Sequence, residues 1–528
     1  MDHDHPVHRT RLTRSEPTGL LDSVPGHCQP HVVTEHAGYD RDARIAVIGA
    51  GFGGLGAARA LAADGYRNLV VFDARDEVGG TWSANRYPGV ACDAPSHVYS
   101  YSNGPRYAWA RRFADGAQIQ RYLYDCVIDA GLLPHLSLGT TVMAASWTGR
   151  DWLLEFQDGQ TSRFDFVVCA TGQLSVPALP DIPGLADFQG AVLHTARWPT
   201  DPNLTGRRVA VIGTGASAIQ VVPEIVETAA HVTVFQRSAP YVFPKADRTY
   251  SPGLHRLYRR APILRRLVEK TLWVGFELVT AAFWKWPRVM RLFERRHAAV
   301  LAHTVTDPST RQALTPDYRA GCKRILISST YHACFNRDDV RLETAPITAV
   351  DTGGIRTADA HHEVDVIICA TGFETDTFVS TLTVTGRDGI SLPERWSDGA
   401  RAFLGISVPG FPNFFLVYGP NTNLGSGSIV YMLETQAEHI RTAIGLAAAA
   451  ARPSSLEVKA GSFDAYSRKL VRRMNQPTVW NSGCRSWYRD GAGRDVHNWH
   501  GFMSEYRRSA RRARAGDYTL TALPARSE

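Results

Sequence analysis

Two segments of this chain follow one plan, and that plan limits the fold more than any other feature. The first reads RIAVIGAGFGGLGAARALAADGYRNLVVFDA, starting at Arg44. The second reads RVAVIGTGASAIQVVPEIVETAAHVTVFQR, starting at Arg208. Each has a short apolar run, a glycine-rich turn, helically spaced apolar residues and a second β-branched run. That is a strand–helix–strand unit. In the first, Arg44–Ile48 and Leu69–Phe72 are the expected strands, with a helix over Leu55–Asp64. Two further apolar runs, Phe166–Ala170 and Val364–Ala370, each end in Ala-Thr-Gly. They read as strands returning to the nucleotide end of each unit. The fold class is therefore α/β, with two Rossmann-like dinucleotide-binding domains.

The glycines carry specific chemistry. In Gly49-x-Gly51-x-x-Gly54, the first permits the tight turn and the second lets backbone approach a pyrophosphate. The third lets helix and strand pack closely. The pyrophosphate then meets unpaired N–H groups at the helix N-terminus. Asp73 lies 24 residues after Gly49, at the end of the next strand, where a carboxylate binds ribose hydroxyls. The second unit has Gly213-x-Gly215-x-x-Ala218 and ends in Gln236-Arg237-Ser238. Arg237 stands where an NAD site carries an acid, and a guanidinium there suits a 2′-phosphate. NADP is expected over NAD, the alternative being a surface arginine after a strand.

Two dinucleotide sites in one chain suggest a held flavin and an exchanging nicotinamide. No C-x-x-C pair occurs among the eight cysteines, so a disulfide reductase is not expected. The cysteines lie far apart, so neither a disulfide framework nor a metal site is expected. The net charge of +7 over 528 residues is too dilute to point to nucleic acid. No signal peptide or membrane span is apparent, and the cytoplasm is the expected location. Residues 253–300 differ from the rest: they read as helical, with eleven Arg or Lys against three Glu. A helix packed on the body, a weak membrane-surface contact and a substrate entrance are all open for this stretch.

Between the two units stands Phe188-x-Gly190-x-x-x-His194-x-x-x-Trp198-Pro199. Gly79-Gly80-x-Trp82, Tyr87-Pro88-Gly89 and Asp93 precede it. Gly321-Cys322-Lys323-Arg324 and Cys334-Phe335-Asn336-Arg337 follow. In this order the motifs resemble the flavin-dependent Baeyer–Villiger monooxygenases, from about residue 43 to 510. Heteroatom-oxygenating flavin monooxygenases carry a similar stretch, usually with another aromatic at the Trp198 position. The second motif departs from the pattern at Ala218, and Asp73 replaces the commoner Glu.

The resemblance implies FAD and NADPH as cofactors, and a ketone and O2 as small-molecule partners. NADPH reduces the flavin, oxygen adds to it, and the peroxide attacks a ketone carbonyl to give an ester or lactone. It puts FAD on Gly49, Gly51, Phe52, Gly54, Asp73, Gly80, Thr81, Trp82, Asp93, Tyr99, Val142 and Met432. It puts NADP on Gly213, Thr214, Gly215, Ser217, Ala218, Gln220, Arg237, Ser238, Lys323, Arg324 and Trp487. Arg324 is the catalytic cation, Asp93 its carboxylate partner, and His194 a supporting residue. Met432 is equally readable as core, and Trp487 as a packed tryptophan. No metal is expected.

The expected layout is a disordered leader at 1–42, then FAD-binding residues 43–185 and NADP-binding residues 186–250. A helical insertion at 251–318 follows, then NADP-binding residues 319–390 and FAD-binding residues 391–528. Two other readings stay open: an N- or S-oxygenating flavoenzyme, and a nucleotide-binding module that has lost catalysis.

Overall fold

The computed structural model describes residues 40–375, 378–379, 382–484 and 486–524. The expected leader falls outside these except for Asp40–Asp42, which form a short 3-10 turn. Two five-stranded parallel sheets organise the described residues. In the first, strand Ile45–Ile48 lies between Leu69–Phe72 and Phe166–Cys169. Leu136–Ser137 and Phe414–Leu416 form its edges. In the second, Arg208–Ile212 lies between His231–Phe235 and Val366–Cys369, with Val340–Glu343 and Ala191–His194 at the edges. The central strands are buried, as a sheet covered on both faces requires.

Both sheets use the same local devices. Gly49 has φ +112°, and a Cβ there would lie 2.4 Å from the Ala170 carbonyl oxygen. Gly213 has φ +111°, and its Cβ would lie 2.6 Å from the Ala370 oxygen. The two Ala-Thr-Gly turns are thus the walls against which the two glycine turns close. The other ends of these strands also match. The Arg44 backbone and guanidinium both donate to Asp165, and Arg208 does the same with Asp365.

Helix Phe52–Ala63 follows the first glycine turn and packs on helix Ile429–Ala448. Strand and helix from the C-terminal third therefore complete the first sheet's domain. The return comes earlier than residue 391, the expected boundary. Strand Thr383–Thr385 already pairs in parallel with Ala144–Ser146, at the edge of a four-stranded mixed sheet that extends the first domain. Short alternating strands of this kind carry little sequence signal. Residues 251–318 hold helices Pro252–Arg260, Pro262–Trp284, Met290–Thr304 and Pro308–Ala313. Among the described residues no helix is long and apolar enough to cross a membrane.

Candidate active site

The FAD motif forms a groove bare of side chains. A Cβ on Gly54 would sit 1.7 Å from the Gly49 oxygen, which fixes the turn against the first coil of helix Phe52–Ala63. Gly80 has φ +55°, and its Cβ would lie 2.9 Å from Gly51 Cα. Two backbone segments thus meet at the helix N-terminus, where N–H groups are free for a pyrophosphate. Asp73 accepts from the Ala50 and Arg75 N–H groups, at 2.7 and 2.9 Å. This aims its carboxylate and leaves lone pairs for a ribose. Thr81 opens the short helix Thr81–Ala84 and is exposed, while Trp82 donates to the Tyr99 hydroxyl at 3.2 Å. Phe52 and Tyr99 meet edge to face, with ring centroids 5.0 Å apart. Val142 begins its strand two residues after Thr140, whose N–H donates to the Asp73 carbonyl.

Met432 does not fit its expected place. Its side chain has no exposed surface and lies in the core between helices Phe52–Ala63 and Ile429–Ala448. Helical periodicity marks an inward face but not whether core or cofactor fills it.

The NADP side is built from four adjoining residues. The Thr214 hydroxyl donates to the Ser238 carbonyl at 3.1 Å. Lys323 Nζ donates to Ser238 Oγ at 2.6 Å. Arg237 is exposed at the end of strand His231–Phe235, and no carboxylate pairs with it among the described residues. Burial and the neighbouring Arg237 push the Lys323 ammonium below its usual range. Two cations brought together form a seat for a phosphate. A Cβ on Gly215 would meet nothing within 4 Å, so the space above helix Ala218–Ile225 is open. Ser217 precedes that helix and makes no capping bond, and Ala218 is fully buried. These residues fit a dinucleotide carrying a 2′-phosphate.

Gln220, expected at NADP, also ties two distant segments together. Its Oε1 accepts from the Tyr87 hydroxyl at 2.8 Å, and its Nε2 donates to the Ala91 carbonyl at 2.9 Å. A Cβ on Gly89 would lie 2.6 Å from the Gln220 carbonyl oxygen. Tyr87-Pro88-Gly89 is thus the seam where the two domains touch, and Gln220 staples it.

That seam positions Asp93. Arg324 reaches it from the other domain and donates through Nε to Oδ2 at 2.9 Å and through Nη2 to Oδ1 at 2.7 Å. The Asp93 carboxylate holds the Arg324 guanidinium well above its usual pKa despite burial. Forty per cent of the Arg324 side chain is still open. One edge of the guanidinium is therefore open, and its Nη1 has no hydrogen bond among the described residues. The buried Tyr488 hydroxyl lies near, pushed up to about 12 by burial against the opposing pull of Arg324.

His194 ends its strand and accepts from the Ala196 N–H at Nδ1, 3.0 Å away. Burial lowers its pKa, partly offset by the carbonyls of Ala178 and Gly372. The imidazole caps the turn Thr195–Arg197 beside the second Ala-Thr-Gly, a place that suits a positioning residue. The glycine of its motif is also explained: a Cβ on Gly190 would lie 2.3 Å from the Asp365 oxygen. Trp487 is 36% exposed, its carbonyl accepting from the Thr375 hydroxyl at 3.4 Å. It is not a packed core tryptophan.

The cysteines require a correction. Cys322 and Cys484 form a disulfide across 162 residues. Spacing rules see only local pairs, so a bridge between distant loops left no mark in the sequence. Among the described residues the five other cysteines are free and buried.

Residues 42–280 match the family model described as flavin-binding monooxygenase-like. A Baeyer–Villiger monooxygenase of Streptomyces coelicolor is 40% identical over 92% of this chain and 94% of its own. An oxidised steroid monooxygenase bound to NADP superposes with a TM-score of 0.80 at 30% identity, covering 91% of this chain and 99% of its own. OTEMO in complex with FAD and NADP superposes at 0.81 and 26% identity, covering 91% of this chain and 100% of its own. A likeness this long and this close, over a chain that sets Arg324 on Asp93 between two glycine-lined grooves, places the protein among the Baeyer–Villiger monooxygenases of the flavin-binding monooxygenase family.

Proposed function

We propose that this chain uses NADPH, FAD and O2 to insert one oxygen atom beside a ketone carbonyl, giving an ester or lactone. The observation that carries the reading is the division of labour between two consecutive residues. Lys323 turns to Ser238 and Arg237, the seat of a 2′-phosphate. Arg324 turns to Asp93 at the domain seam. One short segment thereby registers the nicotinamide cofactor against the reacting centre.

Bound FAD would supply the redox chemistry, taking up a hydride from NADPH and activating oxygen. The chain's own residues bind and orient. Gly49, Gly51 and Gly80 admit the pyrophosphate, and Asp73 takes the ribose. Arg237 and Lys323 select the phosphorylated nicotinamide cofactor. Arg324 remains charged when enclosed, and Asp93 fixes its plane. Its free Nη1 edge can stabilise negative charge developing on the substrate's carbonyl oxygen. That demand favours a ketone over a sulfide or amine, whose oxidation develops no carbonyl oxyanion. The same intact cation pair argues against a module without catalysis.

The test is incubation of the FAD-loaded protein with NADPH, isotopically labelled O2 and a panel of cyclic, aromatic and long-chain ketones beside a sulfide. Label in an ester is expected. Label only in a sulfoxide would move the protein to the heteroatom oxygenases. A cytoplasmic location is part of this proposal, as is membrane-surface contact through residues 253–300. The latter rests on exposed Ile263, Leu267 and Leu278 among basic residues, and sedimentation with anionic vesicles tests it.

A further inference from the structure

The bridge between Cys322 and Cys484 has a location that bears on the reaction. Cys322 is buried two residues before Arg324. Cys484 is half-buried, three residues before Trp487 and four before Tyr488. Residues leading into Cys484 lie on the same turn: a Cβ on Gly321 would sit 3.2 Å from Val479 Cγ2. Beyond Cys484, Trp487 meets His497 with ring centroids 5.3 Å apart, the Tyr488 carbonyl accepts from the Val496 N–H at 3.3 Å, and Arg489 Nη2 donates to the Trp480 carbonyl at 2.8 Å. The Thr375 hydroxyl donates to the Trp487 carbonyl at 3.4 Å. Tyr488 is buried close to Arg324. The bridge is thus a covalent tie that joins the segment carrying Arg324 directly to the one carrying Trp487 and Tyr488.

We propose that the Cys322–Cys484 disulfide is a positioning cross-link of the monooxygenase: it holds Trp487 and Tyr488 over the Arg324–Asp93 pair, and opening it diverts NADPH turnover from ester to hydrogen peroxide. This rests on the oxygenating reading above. A dithiol such as dithiothreitol opens the bridge. Its two thiols become a cyclic disulfide, while two electrons and two protons pass to Cys322 and Cys484. A released segment admits water to a site whose chemistry depends on excluding it. Disulfides in a reducing compartment are commonly transient and redox-sensing, which matches a cross-link of this kind.

The experiment compares untreated protein, dithiothreitol-treated protein and Cys484→Ser. Mass analysis after alkylation should show the bridge in untreated protein and two additional alkylated cysteines after treatment. Amide hydrogen exchange across 479–490, measured without ketone, should become about tenfold faster on reduction. With FAD, NADPH and a ketone substrate, peroxide released per NADPH should rise about threefold or more while the KM for NADPH changes less. Cys484→Ser should match the reduced protein and ignore dithiothreitol. Cys484 is chosen because buried Cys322 is the riskier substitution for folding, and an unchanged thermal midpoint certifies the fold. Absence of the bridge in untreated protein overturns the proposal, as does exchange or peroxide yield that does not respond to reduction. If no ketone yields ester but exchange responds as expected, the oxygenating reading fails and the cross-link's hold on the segment stands.

Discussion

Replacing Arg324 by Ala should separate the two halves of the catalytic cycle. The guanidinium is held by Asp93 through Nε and Nη2, which leaves the Nη1 edge open. A unit charge about 4 Å from a developing oxyanion, at an effective dielectric near 20, stabilises it by ~4 kcal/mol. Loss of one preorganised donor from such a site typically costs ~2.7–4 kcal/mol, or about 10²–10³ in kcat. Ester formation by Arg324→Ala should fall by that factor. Flavin bleaching by NADPH under anaerobic stopped flow should stay within a few-fold, because Lys323 and Arg237 hold the cofactor's phosphate end. Arg324→Lys keeps the charge but cannot fork onto both Asp93 oxygens, so it should recover only part of the loss. Asp93→Asn should lower ester formation with Arg324 still present, because the cation loses its anchor. An Arg324→Ala variant within threefold of wild type in ester formation would refute the assignment. So would a reductive step that falls in parallel with it.

Cofactor choice should depend on the cation pair. Arg237→Ala and Lys323→Ala should each raise the KM for NADPH about tenfold or more, consistent with ~1.5–3 kcal/mol for a charge-assisted bond, and leave NADH turnover nearly unchanged. The glycines should divide by their surroundings: Gly54→Ala, with Cβ against the Gly49 oxygen, should lose bound flavin absorbance. Gly215→Ala, with Cβ in open space, should fold normally and weaken NADPH binding. Acid should unfold the protein early. Burial pushes His97, His297, His332, His439 and His497 down to about 4. The unfolded chain therefore binds more protons below pH 6.5. Each of these residues removes up to ~1.4 kcal/mol of stability per pH unit as pH falls from 6.5 towards 4. Thermal midpoints across that range test this, and a flat profile would contradict it.

The parts legible in the sequence were those whose chemistry is local. Gly49, Gly51 and Gly54 announce a phosphate turn because each is required by contacts within a few residues. Arg237 and Lys323 stand out in the sequence because one follows a strand of the second unit and the other lies in a family motif, and their hold on the cofactor phosphate is part of the proposal. The part Gln220 plays at the seam left no sequence sign, because its amide is engaged by Tyr87 and Ala91 from a distant segment. The link from Ser102 to Glu434, with the Glu434 carboxylate accepting from Ser102 N and Oγ, also left no sequence sign.

The doubled architecture explains why the site itself forms where it does. Asp165 and Asp365 each anchor the arginine at the start of the neighbouring central strand, and Ala170 and Ala370 each wall the glycine turn at its far end. Each sheet can therefore present a nucleotide-binding edge without help from the other. What neither sheet can make alone is a fixed cation between the two nucleotides. Arg324 comes from the segment that follows the insertion, and Asp93 from the loop after the first domain's Tyr87-Pro88-Gly89. Their ion pair requires the seam that Gln220 closes. Gln220→Ala should therefore leave either nucleotide site able to bind its ligand while lowering ester formation. Equal loss of flavin retention and NADPH binding would show instead that the seam supports the fold and not the alignment of the two sites.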